Sequence, residues 1–523
     1  MSFHFFNGGA LNIESRGIVL PAAILAVSSI ASRLLGIVRD WLLAERFGAG
    51  PELDVYYAAF RAPDFVYNIL VFGGITVAFL PLFSDYFQKS KEEAWRFANN
   101  TLNVFFGFLA LLCVIFFIFA PQLTAWIAPG FSPQQLEQTA FLSRLMFLSP
   151  IIFGAASIFS GILQYFKKFL AYSLAAPLYN LGIILGILFL APSMGITGVG
   201  IGVILGALLY LSIQIAPAVA CGFSWKPVFD LRARSLKKVF GLMLPRTLGI
   251  AANQINLIVP VALASSLAPG SITIFNLANN IFSLPVGIIG VSWATAAFAP
   301  FSRYFAEGRI EKLARKFSQT VRQVGFLSVL AALLLFSLAW PLAEILYHHG
   351  EFGFDAVLKT VVTLEFFCLG IYFAAMMPVM FRLFFAMKDT ATPTWSTIIS
   401  VVANIGLNFW LVARLEVYGL ALAYGLANGL QFFILWVLLW RKNKEVILIN
   451  EIAISLVKSV GAGILAVIAV YLTVSALPSA SYPFWTLIAG GLAGAAAYLL
   501  AAWVLKSPEI KELLLSQAIK ASR

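Results

Sequence analysis

Charge is the first thing this chain lacks. Of its 523 residues only 11% are Asp, Glu, Lys or Arg, while 61% are hydrophobic and 15% aromatic. A soluble domain carries about 25% charged residues, so the polar coat of a water-soluble enzyme is missing. Three cysteines cannot staple a chain of this length, which excludes a disulfide scaffold. Histidine is equally scarce: beyond His4 there is only the His348-His349 pair, read as a surface pair in a short outer loop. No metal-ligand spacing, nucleophile elbow or phosphate-binding glycine loop occurs, which argues against a membrane-embedded glycosyltransferase, polymerase or ligase. An ATP motif is also absent, so any work must be driven by a gradient or the membrane potential. What remains is a polytopic membrane protein.

Long apolar runs are what the chain has instead. A spanning helix needs about 20 mostly apolar residues, and that window finds about 14 candidates. They are rich in Leu, Ile, Ala and Phe without the strict alternation of barrel strands, so the fold class is all-α. The first run, behind Arg16, continues through Arg33 and Arg39 without a cleavage region and reads as a retained span rather than a signal peptide. Lys and Arg gather on one side: Lys89, Lys91 and Arg96; Lys167 and Lys168; Arg232 to Lys238; Arg303 to Lys316; and Arg441-Lys442. By the positive-inside rule that side is cytoplasmic and holds both termini. The net charge of +12 is mostly this topological signal, so no nucleic-acid partner is expected; basic loops favour anionic membrane lipids instead.

The chain is also a repeat. Ser32-Arg33-Leu34-Leu35-Gly36-Ile37 recurs as Pro245-Arg246-Thr247-Leu248-Gly249-Ile250. Ala78-Phe79-Leu80-Pro81 recurs as Ala297-Phe298-Ala299-Pro300, Asn180-Leu181-Gly182-Ile183 as Asn404-Ile405-Gly406-Leu407, and Gly198 as Gly419. A collinear offset of about 220 residues spans six helices, so the halves are parallel repeats. The expected organisation is an N-terminal lobe over 1–225, a C-terminal lobe over 226–445, and two further spans with a cytoplasmic tail over 446–523. Two lobes around a central cavity is an alternating-access design.

Ionisable residues inside the membrane cost roughly 2.5–3.5 kcal/mol each and are usually functional or paired. Lobe 1 carries Arg33, Arg39 and Asp40 in its first span and Asp54, Arg61 and Asp64 in its second. Asp40 and Asp64 are candidate partners for Arg39 and Arg61. Self-alignment sets Ala252 opposite Arg39 and Asn280 opposite Arg61, so lobe 2 offers amides, with Arg246, Glu365 and Arg382 as isolated charges. A cationic cavity prefers an anionic substrate, and the planar guanidinium suits phosphate or diphosphate. Prolines at Pro63, Pro81, Pro150, Pro260, Pro285 and Pro378 interrupt helical hydrogen bonding and are plausible bends.

These residues are familiar as a set. Ser32 to Asp40, Phe47-Gly48-Ala49-Gly50, Asp54 and Phe79-Leu80-Pro81 resemble the opening of the lipid II flippase family, MurJ (MviN), within the multidrug/oligosaccharidyl-lipid/polysaccharide exporters. Ala128-Pro129-Gly130-Phe131, Pro177-Leu178-Tyr179-Asn180, Leu284-Pro285-Val286-Gly287, Asp389-Thr390 and Thr392-Pro393 are similar to further family landmarks. The resemblance implies a transporter, not an enzyme, moving undecaprenyl-diphosphate-linked peptidoglycan precursor, lipid II, to the outer leaflet of the bacterial cytoplasmic membrane. A monomer without cofactor is the expectation. By position Arg33, Arg39 and Asp54 match family functional residues, with Asp40 following Arg39; Arg61, Arg246 and Asn280 complete the candidate substrate-binding set. The chain departs from the family at Tyr67, or Asn68 with a one-residue slip, and at Asn280, where arginines are usual, which keeps open another polyprenyl-linked oligosaccharide or a multidrug substrate. Some members bind sodium in lobe 2; only Asp389 matches here, so sodium coupling is unsupported.

Overall fold

The computed structural model describes residues 19–477, 483–510 and 512, with side chains at 19, 20, 22, 72–77, 242, 244–249, 252 and 253 outside the description. Arg16 and the last basic residues of the tail, Lys520 and Arg523, also lie outside it. Every regular element among the described residues is helical, and the chain divides into two compact units, 1–272 and 273–523.

The first unit begins with α1 (Val19–Phe47), α2 (Pro51–Val66), α3 (Thr76–Lys89) and α4 (Lys91–Ile118). It continues through α5 (Ala120–Ile127), α6 (Pro133–Met146), α7 (Leu148–Tyr165), α8 (Phe169–Leu185), α9 (Ala191–Met194), α10 (Ile196–Ala220) and α11 (Arg234–Ala264). Local chemistry sets several of these boundaries. Ser132 and Gln135 form a reciprocal capping box with Pro133 in the first turn, which starts α6 where the chain re-enters from a polar loop. Ser90 caps α4 by accepting from the Glu93 N–H. Gly182, Gly186, Gly202 and Gly206 let α8 and α10 approach backbone to backbone, since a Cβ on any of them would meet main-chain atoms of the other helix.

One stretch of the first unit, between α10 and α11, is extended and is held by side chains rather than by a sheet. Asn99 on α4 donates to the Ser224 carbonyl at 3.0 Å and accepts from the Lys226 N–H at 2.7 Å. Asn100 makes the same double contact with Asp230, at 2.9 and 2.6 Å. Two adjacent asparagines of α4 thus satisfy backbone groups that an extended segment would leave unpaired.

The second unit takes in most of α12 (Ser271–Pro285), then α13 (Ser292–Ala306), α14 (Ile310–Ser337), α15 (Ala339–Tyr347), α16 (Phe354–Cys368) and α17 (Ile371–Ala386). It ends with α18 (Ala391–Asn443), α19 (Ile449–Ala476) and α20 (Pro483–Val504). A buried polar cluster ties its last helices together. Arg322 on α14 donates to Glu509 and Glu512, both at 2.9 Å, and Ser455 on α19 also donates to Glu509. Gln323 donates to Glu512 and accepts from the Trp293 indole N–H.

Nine helical runs among the described residues are long and apolar enough to cross a membrane, or ten if the pair Phe354–Cys368 and Ile371–Ala386, bent by 45°, is one span. That number counts helical runs among the described residues, not crossings of a bilayer. α18 is 53 residues of continuous assignment broken at Glu416, far longer than one bilayer crossing of about 20 residues. Contacts also divide the chain later than the repeat does: α11, which opens the expected second lobe, packs on α2, α3 and α5 of the first unit.

Two π-helical segments sit at repeat-related places. One, Tyr67–Ile75, lies between α2 and α3 beyond Pro63; the other, Val286–Val291, lies between α12 and α13 directly after Pro285. A third occupies Gly186–Leu190. Such widened turns concentrate at functional sites and bends. Cys113, Cys221 and Cys368 are free thiols.

Candidate functional site

Helical spacing already separates the faces of α1. Ser28, Ser32 and Arg39 fall on one face, since residues seven apart return to within about 20°. Val27, Ile30, Leu34 and Val38 form a second, exposed stripe suited to lipid. Ser173 and Asn180 are likewise seven apart on α8, which packs along α1. The two faces meet in register: Ser28 donates to Ser173 at 3.0 Å, and Asn180 donates to the Ser32 carbonyl and hydroxyl at 3.2 Å. The helices therefore run parallel.

At the end of that seam sits Arg39. Its Nε and Nη2 donate to one oxygen of Asp40, at 2.9 and 2.7 Å, and Nη1 donates to the Asn180 side-chain oxygen at 3.1 Å. Asp40 is buried, whereas the Arg39 side chain keeps 23% of its surface exposed. Both terminal nitrogens of the guanidinium keep a further N–H beyond these bonds. The arrangement is a cation held in one orientation by two fixed acceptors, with donors to spare for an anion.

Aromatic rings flank it. Tyr56 and Tyr57 on α2 lie within electrostatic reach of Arg39, as does Tyr179 beside Asn180. Tyr67 packs 5.0 Å from Phe153, which in turn meets Tyr179 and Tyr210 edge-on at 5.2 Å. Arg61 and Asp64 stand within electrostatic reach of each other on α2, and Asp64 also within reach of Arg39. Asp64 additionally accepts the Asn68 amide through its backbone carbonyl.

The remaining candidates sit elsewhere. Arg33 is one residue past Ser32 and so faces about 100° away from the seam; among the described residues it has no hydrogen bond or ion pair. Asp54, buried at the start of α2, accepts from the Gly270 N–H at 2.7 Å and closes the turn before α12. Gly270 adopts φ +90° and has no room for a side chain against the Ala49 backbone, so that contact depends on glycine. Asn280 lies in the second unit on α12, where its backbone carbonyl accepts from Ser283. The Arg246 side chain falls outside the described residues. The lobe 2 carboxylate at Asp389 is occupied by protein: Lys442 donates to it at 2.6 Å and Thr392 donates through both its N–H and its hydroxyl.

In the sequence Asn180 is half of a repeated pair and the last residue of the Pro177–Asn180 landmark, with no role attached, yet it is the residue that joins Arg39 to α8. The signal was present in the seven-residue spacing from Ser173, but it becomes a contact only when α1 and α8 are known to be neighbours.

A family model described as the lipid II flippase MurJ matches residues 43–488. The chain belongs to the MurJ family. The "Probable lipid II flippase MurJ" of Haemophilus influenzae is 29% identical over 428 residues, covering 78% of this chain and 83% of that protein. That of Rhizobium tropici is 28% identical, covering 80% of both. Among solved structures, "Lipid II flippase MurJ, inward closed conformation" superposes with a TM-score of 0.79 over 93% of this chain and all of that one, at 24% identity. An inward-facing MATE multidrug transporter superposes at 0.68 with 16% identity, over 79% of this chain and 95% of its own. At these identities the structures speak to the fold, which this MurJ-family chain shares with both.

Proposed function

We propose that this chain moves lipid II, the undecaprenyl-diphosphate-linked peptidoglycan precursor, from the inner to the outer leaflet of the bacterial cytoplasmic membrane. It is a transporter rather than an enzyme. The observation that carries the reading is the family match over residues 43–488 together with an oriented intramembrane guanidinium. Arg39, held by Asp40 and Asn180, binds the diphosphate through its remaining N–H donors. Arg33 and Arg61 add positive charge along the entry to that site; Arg246 and Asn280 act from the second repeat, and Asp54 secures the turn at Gly270. The tyrosines in place of further cations, Tyr67 among them, supply hydroxyl donors and ring faces for the sugar.

In this reading the repeat defines two lobes, 1–225 and 226–445, that rock about a central cavity while 446–523 supplies two peripheral spans. The chain crosses the membrane 14 times, works as a monomer and keeps both termini in the cytoplasm. The departures at Tyr67 and Asn280 favour a grip on the diphosphate centred on Arg39 alone.

The test is chemical detection of outer-leaflet lipid II in cells depleted of their own flippase. The parent restores exposure and Arg39→Ala, at equal expression, does not. A well-inserted parent that restores nothing would redirect the reading to another polyprenyl-linked glycan, and restoration by both would remove Arg39 from the site.

A further inference from the structure

A groove in the first unit, away from Arg39, pairs an apolar trough with a single unpaired cation. Its walls are two helical stripes: Cys113, Val114 and Phe117 on α4, and Phe141, Leu145, Leu148 and Ile151 along α6 and α7, with a volume of about 390 Å³. Phe117, Phe141 and Leu148 are each about half exposed, so the trough opens toward the surroundings of the helices rather than into the packed core. Arg144 is the one charged residue in its lining. The Nε of Arg144 donates to the Phe117 carbonyl at 3.0 Å, and its guanidinium lies 5.3 Å from the Phe117 ring centre. Among the described residues no carboxylate pairs with it.

The level of Arg144 follows from α4. That helix carries Lys91, Glu92, Glu93 and Arg96 at its start and no charge from there to its end at Ile118. Phe117 is thus at the opposite membrane boundary, where the last carbonyls of a helix welcome a cation. From that boundary both stripes run inward, Phe117 to Cys113 over one turn and Arg144 to Ile151 over about 10 Å of helix. A cation at headgroup level with an apolar trough leading toward the bilayer centre is the shape of a phospholipid half-molecule.

We propose that this groove binds one anionic phospholipid, its phosphodiester on the free N–H groups of Arg144 and one acyl chain in the trough. One guanidinium forks onto one phosphate group, which suits the single phosphodiester of a phospholipid. The assignment rests on the proposed orientation only for the leaflet, which is then the outer one.

The experiment uses full-length protein in nanodiscs with trace phosphatidylglycerol carrying a diazirine in its acyl chain, the crosslinked peptides being mapped. Label is expected on 113–117 and 141–151, about tenfold above that from the matching phosphatidylcholine probe, the advantage one charge-assisted contact gives. Arg144→Gln abolishes the headgroup preference and Arg144→Lys retains part of it. Leu148→Trp fills the trough and lowers labelling by both probes; an unchanged melting temperature shows that each variant is folded. The proposal is overturned if Arg144→Gln keeps the full preference, if Leu148→Trp labels like the parent, or if equimolar undecaprenyl diphosphate displaces the probe more effectively than unlabelled phosphatidylglycerol. None of these readouts requires the protein to move lipid II, so failure here and failure of the flippase reading are separable.

Discussion

Before α10 the chain turns through Gly195 at φ 56°, ψ −141°; within α18, 221 residues later, it turns through Glu416 at φ 50°, ψ −133°. The neighbouring geometry repeats as well. A Cβ on Gly198 would meet the backbone at Leu190 and Ala191, and one on Gly419 would meet Leu411 and Val412. Lys167 and Lys388 both end helices in the left-handed region, at φ 56° and 61°. The two repeats therefore share a backbone down to its unusual dihedrals, while their side chains have diverged. The first repeat keeps glycine at its strained turn and a charged site at Arg39; the second keeps a glutamate at the turn and amides where the charges were. Backbone conformation follows the fold even where the polar side chains differ.

The largest expected effect lies at the site itself. Arg39→Ala removes charge-assisted bonds worth about 1.5–3 kcal/mol apiece, so transport should fall by roughly 10- to 100-fold. Arg39→Lys should recover only part, because an ammonium cannot reach Asp40, Asn180 and a phosphate in one plane. A lysine variant with full transport would mean that charge alone matters. Next is Glu509, fully buried beneath Arg322 in the second unit. Glu509→Ala leaves the guanidinium with Glu512 alone and should cost about 1–3 kcal/mol, read as a lower melting temperature in detergent, with less than additive loss in Arg322→Ala/Glu509→Ala.

Much of this was legible in the sequence. The all-helical class, the repeat and the pairing of Arg39 with Asp40 follow from apolar runs, offsets and buried charge. Spacing also separates Arg33 from Arg39, but which of them faces a neighbour depends on where α8 lies. The Asn99 and Asn100 contacts leave no trace in sequence, since their partners are backbone groups of residues 224–230. The packing of α11 on α2, α3 and α5 is equally silent: a repeat fixes which helices correspond, not which ones associate.

The turn comparison can be tested directly. Glu416 is exposed, so its side chain contributes little packing. Glu416→Gly should relieve strain of about 1–3 kcal/mol, less the backbone entropy of a new glycine, and raise the melting temperature. The mirror change, Gly195→Glu, should lower it. If both variants are neutral, the shared dihedrals are not strained in the protein.

A smaller contrast lies one residue beyond the left-handed lysines. Lys168 offers α8 no side-chain cap, whereas Asp389 accepts from Thr392 at the start of α18 and pairs with Lys442. Partial burial alone would raise the Asp389 carboxyl, but the Lys442 and Thr392 hydrogen bonds outweigh it and hold it below the ordinary value of 3.8. A lowered carboxyl contributes stability that is complete above the unfolded value and is lost as pH falls through the folded one. The parent should therefore lose a cap worth about 1 kcal/mol only below pH 3.8. Asp389→Asn should lack that acid step and be less stable at neutral pH.

The smallest effect separates the repeat-related asparagines. Asn180 has its amide nitrogen on Ser32 and its oxygen on Arg39. Asn404 accepts from Asn408 at 2.7 Å, but the Asn404 nitrogen and the Asn408 oxygen are buried without a partner. Removing both members of a half-satisfied pair is nearly neutral or stabilising, whereas stripping one partner from a satisfied site strands the other. Asn404→Leu/Asn408→Leu should thus shift stability by less than about 1 kcal/mol in either direction and leave transport intact. Asn180→Leu should loosen Arg39 and lower transport severalfold without unfolding the protein. Equal losses from the two changes would mean that the buried amides of the second repeat serve transport as directly as the arginine of the first.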